Sequence, residues 1–204
     1  MKKIIITGAN SYIASVLLEH LEDLKIKILL ISRQNVLKQN NNKQYTTLKC
    51  DISEENPWKE ILKGGETIIH LASETSNQIA NNEPIGNWKA NVKPIYDIAS
   101  ASAKIKEKPT IIFTSTVTVF GLTSNIPIDE TCPENPVTIY DLHKLTAENL
   151  LRYFNNLGVF KTICLRLSNV YGPGATRQSS DRGILNQSIK KAVQGYDLIA
   201  YRNG

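Results

Sequence analysis

The stretch Lys3-Ile4-Ile5-Ile6-Thr7-Gly8-Ala9-Asn10-Ser11-Tyr12-Ile13-Ala14 decides the fold of this chain. It begins with a short apolar run rich in β-branched residues, which is typical of a buried strand. A glycine turn follows at once, and then an amphipathic stretch from Ser15 to Leu24. This order points backbone N–H groups and the positive end of a helix dipole at a bound phosphate. The stretch therefore predicts a phosphate-binding turn, in which Gly8 turns the chain and Ala14 permits close helix–strand packing.

Strands and helices alternate along the rest of the chain. Further predicted strands are Ile26–Ile31, Tyr45–Cys50, Thr67–Ala72, Thr110–Ser115 and Thr162–Leu167. Further predicted helices lie near Glu55–Leu62, Pro84–Ala103 and Ile139–Asn156. Repeated β-α units predict an α/β fold with a doubly wound parallel sheet and helices on both faces. Ligands in such folds bind beyond the carboxyl ends of the strands.

One constellation near these strand ends has the residue types of an acid–base site. Tyr140 and Lys144 are four residues apart, so they share one face of their predicted helix. An ammonium about 6 Å from a phenol, at an effective dielectric of about 20, favours the phenolate by roughly 3 kcal/mol and brings its pKa closer to neutrality. Thr116, at the end of a predicted strand, offers a hydroxyl to hold the reacting oxygen. An isolated Tyr-x-x-x-Lys match is weak, because two surface residues on an amphipathic helix give the same pattern.

The whole order of motifs resembles a known family. Besides the first turn, the matching segments are Asp51-Ile52, Ile68–Ala72, Ala90–Val92, Phe113–Gly121, Tyr140–Lys144 and Leu165–Gly174. They resemble the extended short-chain dehydrogenase/reductases, the NAD-dependent epimerase/dehydratase family of nucleotide-sugar enzymes. The resemblance implies a Rossmann-type fold, a dinucleotide cofactor and hydride transfer on a nucleotide-activated sugar. A homodimer is among the assemblies that it allows.

Carried over position by position, the resemblance assigns a role to each matching residue. The cofactor-binding residues that it implies are Gly8, Asn10, Ser11, Tyr12, Ile13, Ser32, Arg33, Asp51, Ile52, Leu71, Ala72, Ser73, Ser115, Tyr140, Lys144 and Ser168. Tyr140 is the implied acid–base and Lys144 its partner, while Thr116 and Asn169 are the implied substrate contacts. The same resemblance makes Asn91 a structural residue.

Three positions depart from the family pattern. Ser11 and Ala14 stand where the family has glycine, and Ala14 is tolerable because that position concerns packing. Ser11 adds a side chain where backbone approaches the pyrophosphate, so we expect weaker cofactor binding. Its hydroxyl has two alternative uses, a hydrogen bond to the phosphate or a cap on the helix. His143 stands where small residues are common, and we expect its side chain to point away from the site.

The end of the second predicted strand bears on the choice of cofactor. An acidic residue there favours NAD, because a carboxylate accepts from the ribose 2′-hydroxyl and repels a 2′-phosphate. This chain has Ser32-Arg33 instead, and an arginine pairs with a phosphate. The sequence therefore allows NAD or NADP and favours NADP. The alternative is that Arg33 lies beside the adenine of either cofactor.

Two functions from different classes remain open at this stage. One is an NAD(P)-dependent epimerase or reductase, and the pair Val117-Thr118 argues against a dehydratase, which often has two acidic residues there. The other is a dinucleotide-binding protein without turnover. We expect a cofactor-binding domain over residues 1–175 and the start of a substrate lobe over 176–204, with a helix at Gly183–Gln194 and a strand from Leu198. The abrupt ending favours a fragment over a natural short form.

Composition argues against several other classes of protein. The chain carries 24 Lys and Arg against 19 Asp and Glu, a formal net charge of +5, and its lysines are dispersed rather than clustered. A solvated surface explains them better than nucleic-acid binding. The three cysteines have no metal-ligand spacing, so we expect no metal site, and Cys50 and Cys164 lie in predicted strands as buried thiols. Such thiols, and the lack of a membrane-spanning stretch, predict a cytoplasmic protein.

Overall fold

The computed structural model describes residues 3–36, 44–123, 126–172 and 184–198. The strands are β1 (Lys3–Thr7), β2 (Lys27–Ser32), β3 (Tyr45–Lys49), β4 (Thr67–His70), β5 (Thr110–Thr116) and β6 (Lys161–Leu167). They form one parallel sheet in the order β3-β2-β1-β4-β5-β6. This is the doubly wound order with a reversal between β1 and β4. The predicted fold class is confirmed.

Seven α-helices are described. They are α1 (Tyr12–Leu21), α2 (Trp58–Ile61), α3 (Asn77–Asn82), α4 (Pro84–Asn91), α5 (Lys93–Ser102), α6 (Ile139–Asn156) and α7 (Ile184–Val193). A 3₁₀ turn (Val117–Phe120) follows β5 directly. Along the described chain, no helix is both long and apolar enough to cross a bilayer.

Both faces of the sheet are buried, as the apolar run in β1 requires. Ile5 packs in a cluster with the buried faces of α5 and α6, whereas Ile6 packs in a second cluster with Ala14 and Leu18 of α1. Successive side chains of a strand point to opposite faces, so adjacent isoleucines serve different layers. Each fully buried isoleucine contributes about 1.5–3 kcal/mol relative to an exposed one. The helices on both faces are therefore held by the central strands.

The helix predictions were wrong in three places. The segment Pro84–Ala103 is two helices, because the chain breaks at Val92, just before Pro94, whose ring excludes a continuous helix. The helix expected over Glu55–Leu62 is only the single turn of α2, which begins after Pro57. Helix α3 was not predicted, although Ser76 caps it with its hydroxyl.

Two strand predictions ran past the observed ends. β3 stops at Lys49 and β4 at His70, which places Cys50, Leu71 and Ala72 in the loops at the carboxyl edge of the sheet. Helix α7 matches the helix predicted at Gly183–Gln194. Of the strand expected from Leu198 to Tyr201, only Leu198 lies within the described residues. The division at residue 175 stays a prediction.

Candidate functional site

A large cavity of about 810 Å³ opens at the carboxyl edge of the sheet, beside the point where the strand order reverses. Its size falls in the range of small-molecule sites in proteins. Every residue that the sequence predicted for cofactor or substrate binding lines this cavity. These residues come from the turn after β1, the ends of β2, β3, β4, β5 and β6, and the first turns of α6. The structure thus brings them together, and their individual roles stay predictions.

The turn after β1 depends on a glycine and on a cap. Gly8 has a φ of +68°, and a Cβ there would lie 2.8 Å from the backbone nitrogen of Ala72, so a side chain does not fit. Ser11 is the N-cap of α1, and its hydroxyl accepts from the Ala14 N–H at 3.2 Å. Of the two uses expected for the Ser11 hydroxyl, the structure contains the cap. Tyr12 and Ile13 line the cavity at the start of α1, where helix N–H groups have no intrahelical partner.

Hydrogen bonds from Asn10 connect this turn to the end of β2. Its Nδ2 donates to the Ser32 hydroxyl at 3.1 Å and to the Asn35 carbonyl at 3.0 Å. The backbone N–H of Ala9 donates to the carbonyl of Ile31. These bonds fix the end of β2, where the sequence predicts the choice between NAD and NADP, beside the turn.

Thr116, Tyr140 and Lys144 converge on the cavity from two elements. Thr116 ends β5, and the two other residues lie on the first two turns of α6. All three are at least 94% buried by side-chain neighbours and still reach the cavity wall. The Lys144 ammonium lies 4.3 Å from the centroid of the Phe113 ring, whose face attracts a cation. A buried ammonium and a buried phenol thus share one face of α6.

A buried histidine lies beneath this pair. The Nδ1 atom of His70 lies 3.0 Å from the Thr7 hydroxyl, which also accepts from the Ala72 N–H at 3.1 Å. Its ring stacks on Phe113 with centroids 5.9 Å apart. Burial, and then the charge of Lys144, lower the pKa of His70 to about 3. His70 is thus a neutral core residue, and the Thr7 hydroxyl next to it holds the Ala72 N–H of the cavity wall.

A buried amide network orients Ser73, a second part of that wall. The Ser73 hydroxyl donates to Asn91 Oδ1 at 2.5 Å, and Asn91 Nδ2 donates to the carbonyl of Glu74 and to Asn87. His143 reaches the same network, with Nδ1 2.8 Å from Asn87 Oδ1, and it does not line the cavity. Burial lowers the pKa of His143. The sequence analysis missed Asn87, although its spacing of four from Asn91 on one helix was a usable signal.

The remaining expectations concern cysteines and metals. Cys50 is buried just beyond β3, where burial raises its pKa to about 11. Cys164 is only half-buried, because β6 lies at the edge of the sheet that the described residues form. In the ranges given above, no group of three His, Cys, Asp or Glu residues is placed to hold a metal ion.

Comparison with known proteins gives one family. The sequence pattern of the NAD dependent epimerase/dehydratase family matches residues 4–204. A protein named "Putative UDP-glucose 4-epimerase" from Methanocaldococcus jannaschii is 24% identical over 203 residues, which are 98% of this chain and 66% of that protein.

Two solved structures have the same fold. A UDP-N-acetylglucosamine 4-epimerase from Methanobrevibacter ruminantium M1, in complex with UDP-N-acetylmuramic acid, has a TM-score of 0.87 and 25% identity over 98% of this chain and 66% of that one. The Thermus thermophilus UDP-glucose 4-epimerase, in complex with NAD, has a TM-score of 0.81 and 18% identity over 96% and 64%. This chain thus spans about two thirds of the length of each relative. Since the family pattern covers nearly all of its residues, the chain belongs to the NAD dependent epimerase/dehydratase family.

Proposed function

We propose that this protein is an NAD(P)-dependent enzyme of the epimerase type that acts on a nucleotide-activated sugar, with Tyr140 as its acid–base. The observation that carries the proposal is the convergence of Thr116, Tyr140 and Lys144 on one cavity that also contains the glycine turn of Gly8. Three separate segments of the sequence supply these groups. The names of the relatives supply the substrate class, a nucleotide sugar.

The residues of the cavity fit a dinucleotide. Gly8 leaves no Cβ between the turn and Ala72, and the first N–H groups of α1 are available to a pyrophosphate. Ser32 and Arg33 would hold the adenosine end, and Ser73 the nicotinamide end. When bound, the nicotinamide would supply hydride transfer.

The chain's own residues would move the proton. The buried Lys144 ammonium stabilises negative charge on the Tyr140 oxygen, because both groups share one helix face. Tyr140 would take the proton of the sugar hydroxyl during oxidation and return it during reduction. The face of the Phe113 ring attracts the Lys144 ammonium and helps to hold it in place. Thr116 would contact the same sugar oxygen from β5.

The choice between NAD and NADP depends on the end of β2. Ser32 and Arg33 line the cavity, and no acidic residue occupies the end of that strand. This arrangement is compatible with a 2′-phosphate, which is why the sequence favoured NADP. None of the comparisons supports that preference, and the Thermus neighbour contains NAD. We therefore propose NAD or NADP as the cofactor.

The test uses UDP-glucose as probe with NAD or NADP. We expect saturable binding of one reduced cofactor by fluorescence, and epimerised product from UDP-glucose by nucleotide-sugar chromatography. Tyr140→Phe should leave cofactor binding nearly unchanged and cut turnover by about 10² or more, the usual scale of lost acid–base catalysis. Tyr153→Phe is the matched control, because Tyr153 is exposed on the same helix. Full activity of Tyr140→Phe would refute the acid–base assignment, and cofactor binding without turnover of any nucleotide sugar would identify a binding protein instead.

A further inference from the structure

A chain of hydroxyl groups connects Thr116 to a buried carboxylate that the proposed mechanism does not use. The Thr116 and Thr118 hydroxyl oxygens are 2.8 Å apart, and the Thr118 hydroxyl donates to Asp141 Oδ1. Asp141 is 4% exposed, and its Oδ2 accepts from the backbone N–H and the hydroxyl of Thr138 at 3.2 and 2.7 Å. These bonds form the capping box of α6 and hold the carboxylate in place.

The chemistry of the three groups sets the direction of the bonds. An ionised carboxylate only accepts, so the single proton of the Thr118 hydroxyl is committed to Asp141. Thr118 can then only accept from Thr116, whose own proton is used in that bond. The Thr116 oxygen also accepts from the Thr118 N–H at 3.2 Å. A hydroxyl oxygen has two lone pairs, and therefore one is left for a further donor, in a residue that lines the cavity.

We propose that Asp141 and Thr118 are positioning residues that fix the Thr116 hydroxyl as a hydrogen-bond acceptor toward the cavity. In this orientation Thr116 has no proton left to donate to a ketone oxygen, while the proton of the substrate hydroxyl goes to Tyr140. The site therefore does not stabilise the ketone form of a bound substrate through Thr116. The orientation of the hydroxyls stands on its own, whereas this consequence for the reaction rests on the proposed function.

The orientation is tested without any substrate. Threonine labelled at its hydroxyl-bearing group allows the hydroxyl protons of Thr116 and Thr118 to be observed by NMR in the free protein, where committed bonds slow their exchange with water. We expect both protons to be visible, with a through-space cross-peak from the Thr116 hydroxyl proton to the β-proton of Thr118. A Thr116 hydroxyl proton that exchanges rapidly, or that cross-relaxes with Tyr140 instead, would overturn the proposal.

Three variants distinguish an effect on the orientation of the Thr116 hydroxyl from a purely structural role of Asp141 and Thr118. Asp141→Asn keeps an oxygen for the Thr138 N–H and turns an amide N–H toward Thr118. The direction of the hydrogen bonds among these groups is then reversed, and the Thr116 proton becomes free to point toward the cavity. Thr118→Val removes the acceptor for that proton and leaves the backbone bond to Thr116. Thr118→Ser is the matched control, because it restores a hydroxyl at the same position.

The functional readout is the equilibrium fraction of cofactor that is reduced when UDP-glucose is bound. This fraction reports the balance of ketone and alcohol in the site. Asp141→Asn and Thr118→Val should raise the ratio of reduced to oxidised cofactor by about fivefold, the equivalent of one net hydrogen bond. Thr118→Ser should behave as the wild type, and adding Thr116→Val should abolish the effect of the other two.

The outcomes distinguish this inference from the proposed function. If wild-type protein does not reduce its cofactor with any nucleotide sugar but shows the expected NMR cross-peak, the proposed function fails and the orientation stands. If UDP-glucose is turned over but the two variants leave the cofactor ratio unchanged and lower only the stability, the positioning role is wrong.

Discussion

At the scale of single residues, His70 shows how burial sets the behaviour of a titratable group. The unfolded chain gives this histidine a pKa near its ordinary 6.5, whereas burial lowers the pKa to about 3 in the folded protein. Between these two values the unfolded state binds a proton that the folded state does not. Stability therefore falls as the pH decreases below about 6.5 and is present in full above it.

His70→Asn should reduce this dependence on pH. From pH 7 to pH 5 the wild type should lose about 2 kcal/mol of unfolding free energy through His70, a loss that the variant lacks. Asparagine retains a polar atom near the Nδ1 position for the Thr7 hydroxyl, although the variant loses the stacking on Phe113 at every pH. Urea unfolding at the two pH values provides the measurement. Parallel losses in both proteins would show that His70 is not the titrating group.

Arg33 is the residue on which cofactor selectivity depends. If the wild type prefers NADPH, Arg33→Asp should shift the ratio of dissociation constants toward NADH, because a repulsion replaces an attraction for the 2′-phosphate. Fluorescence titration with both reduced cofactors gives the ratio. Arg152→Asp is the control with the same change of charge, on an exposed position of α6 outside the cavity. An unchanged ratio in Arg33→Asp would mean that Arg33 lies beside the adenine only.

At the scale of elements, the first turn of α1 combines two demands on Ser11. Its oxygen caps the helix, and under the proposed function its side chain occupies space where backbone would approach a pyrophosphate. Ser11→Gly should cost only a few tenths of a kcal/mol in stability and tighten cofactor binding by about fivefold. Ser11→Ala should cost about 1 kcal/mol without tighter binding, since the methyl group remains. Thermal unfolding and cofactor titration give the two quantities, and weaker binding in Ser11→Gly would show that the hydroxyl itself contacts the phosphate.

The strands were easier to predict than the helices, for physical reasons. The central strands β1 and β2 are apolar on both faces, and that pattern depends on burial alone. The break between α4 and α5 is set by Pro94, which lies in the first turn of α5, and the start of α2 is set by Pro57. The periodicity of apolar residues does not report either proline, so it did not predict where these helices begin and end. The residues of the cavity were predictable because the family resemblance marks strand ends.

The hydrogen bond between Thr118 and Asp141 could not be predicted from the sequence. The capping box of Thr138 and Asp141 is a local pattern of four residues and was readable. The contact with Thr118 joins positions 23 apart and exists only because β5 lies against the start of α6. Val117-Thr118 was judged only by its lack of acidic groups, whereas the fold brings a carboxylate to Thr118 from another element.

At the scale of the whole molecule, the two faces of the sheet place the site. α1 covers one face of the sheet, and α5 and α6 cover the other. The connections on the two sides of the reversal between β1 and β4 therefore diverge, and a crevice is left at that point. Most of the proposed cofactor residues follow β1, β2, β3 and β4, whereas the proposed catalytic residues lie on β5 and α6. Each half brings only part of the site, which explains why no single motif of the sequence was specific.

Helix α7 is only partly packed against the described part of the molecule, for example through the bond from the Gly172 N–H to Asn186 Oδ1, and it leads to the last prediction. Leu185, Ile189 and Val193 follow one another at intervals of four and are 41%, 57% and 84% exposed, whereas Ala147 and Leu151 of α6 are fully buried. A ten-residue helix with so little of its apolar side buried is marginal in water. In the 204-residue chain, amides of Ile184–Val193 should therefore exchange with solvent far faster than those in the middle of α6.

Hydrogen exchange read by mass spectrometry checks this directly, and two substitutions provide a matched pair. Ile189→Ser should change the unfolding free energy by less than about 0.5 kcal/mol, as expected for an exposed position, because the isoleucine has little burial to lose. Leu151→Ala should cost about 2–5 kcal/mol, because it opens a cavity in the core of the sheet's packed face. Protection of α7 equal to that of α6 in a monomer, together with a large cost for Ile189→Ser, would contradict the prediction, since both would require that α7 packs on the rest of the molecule.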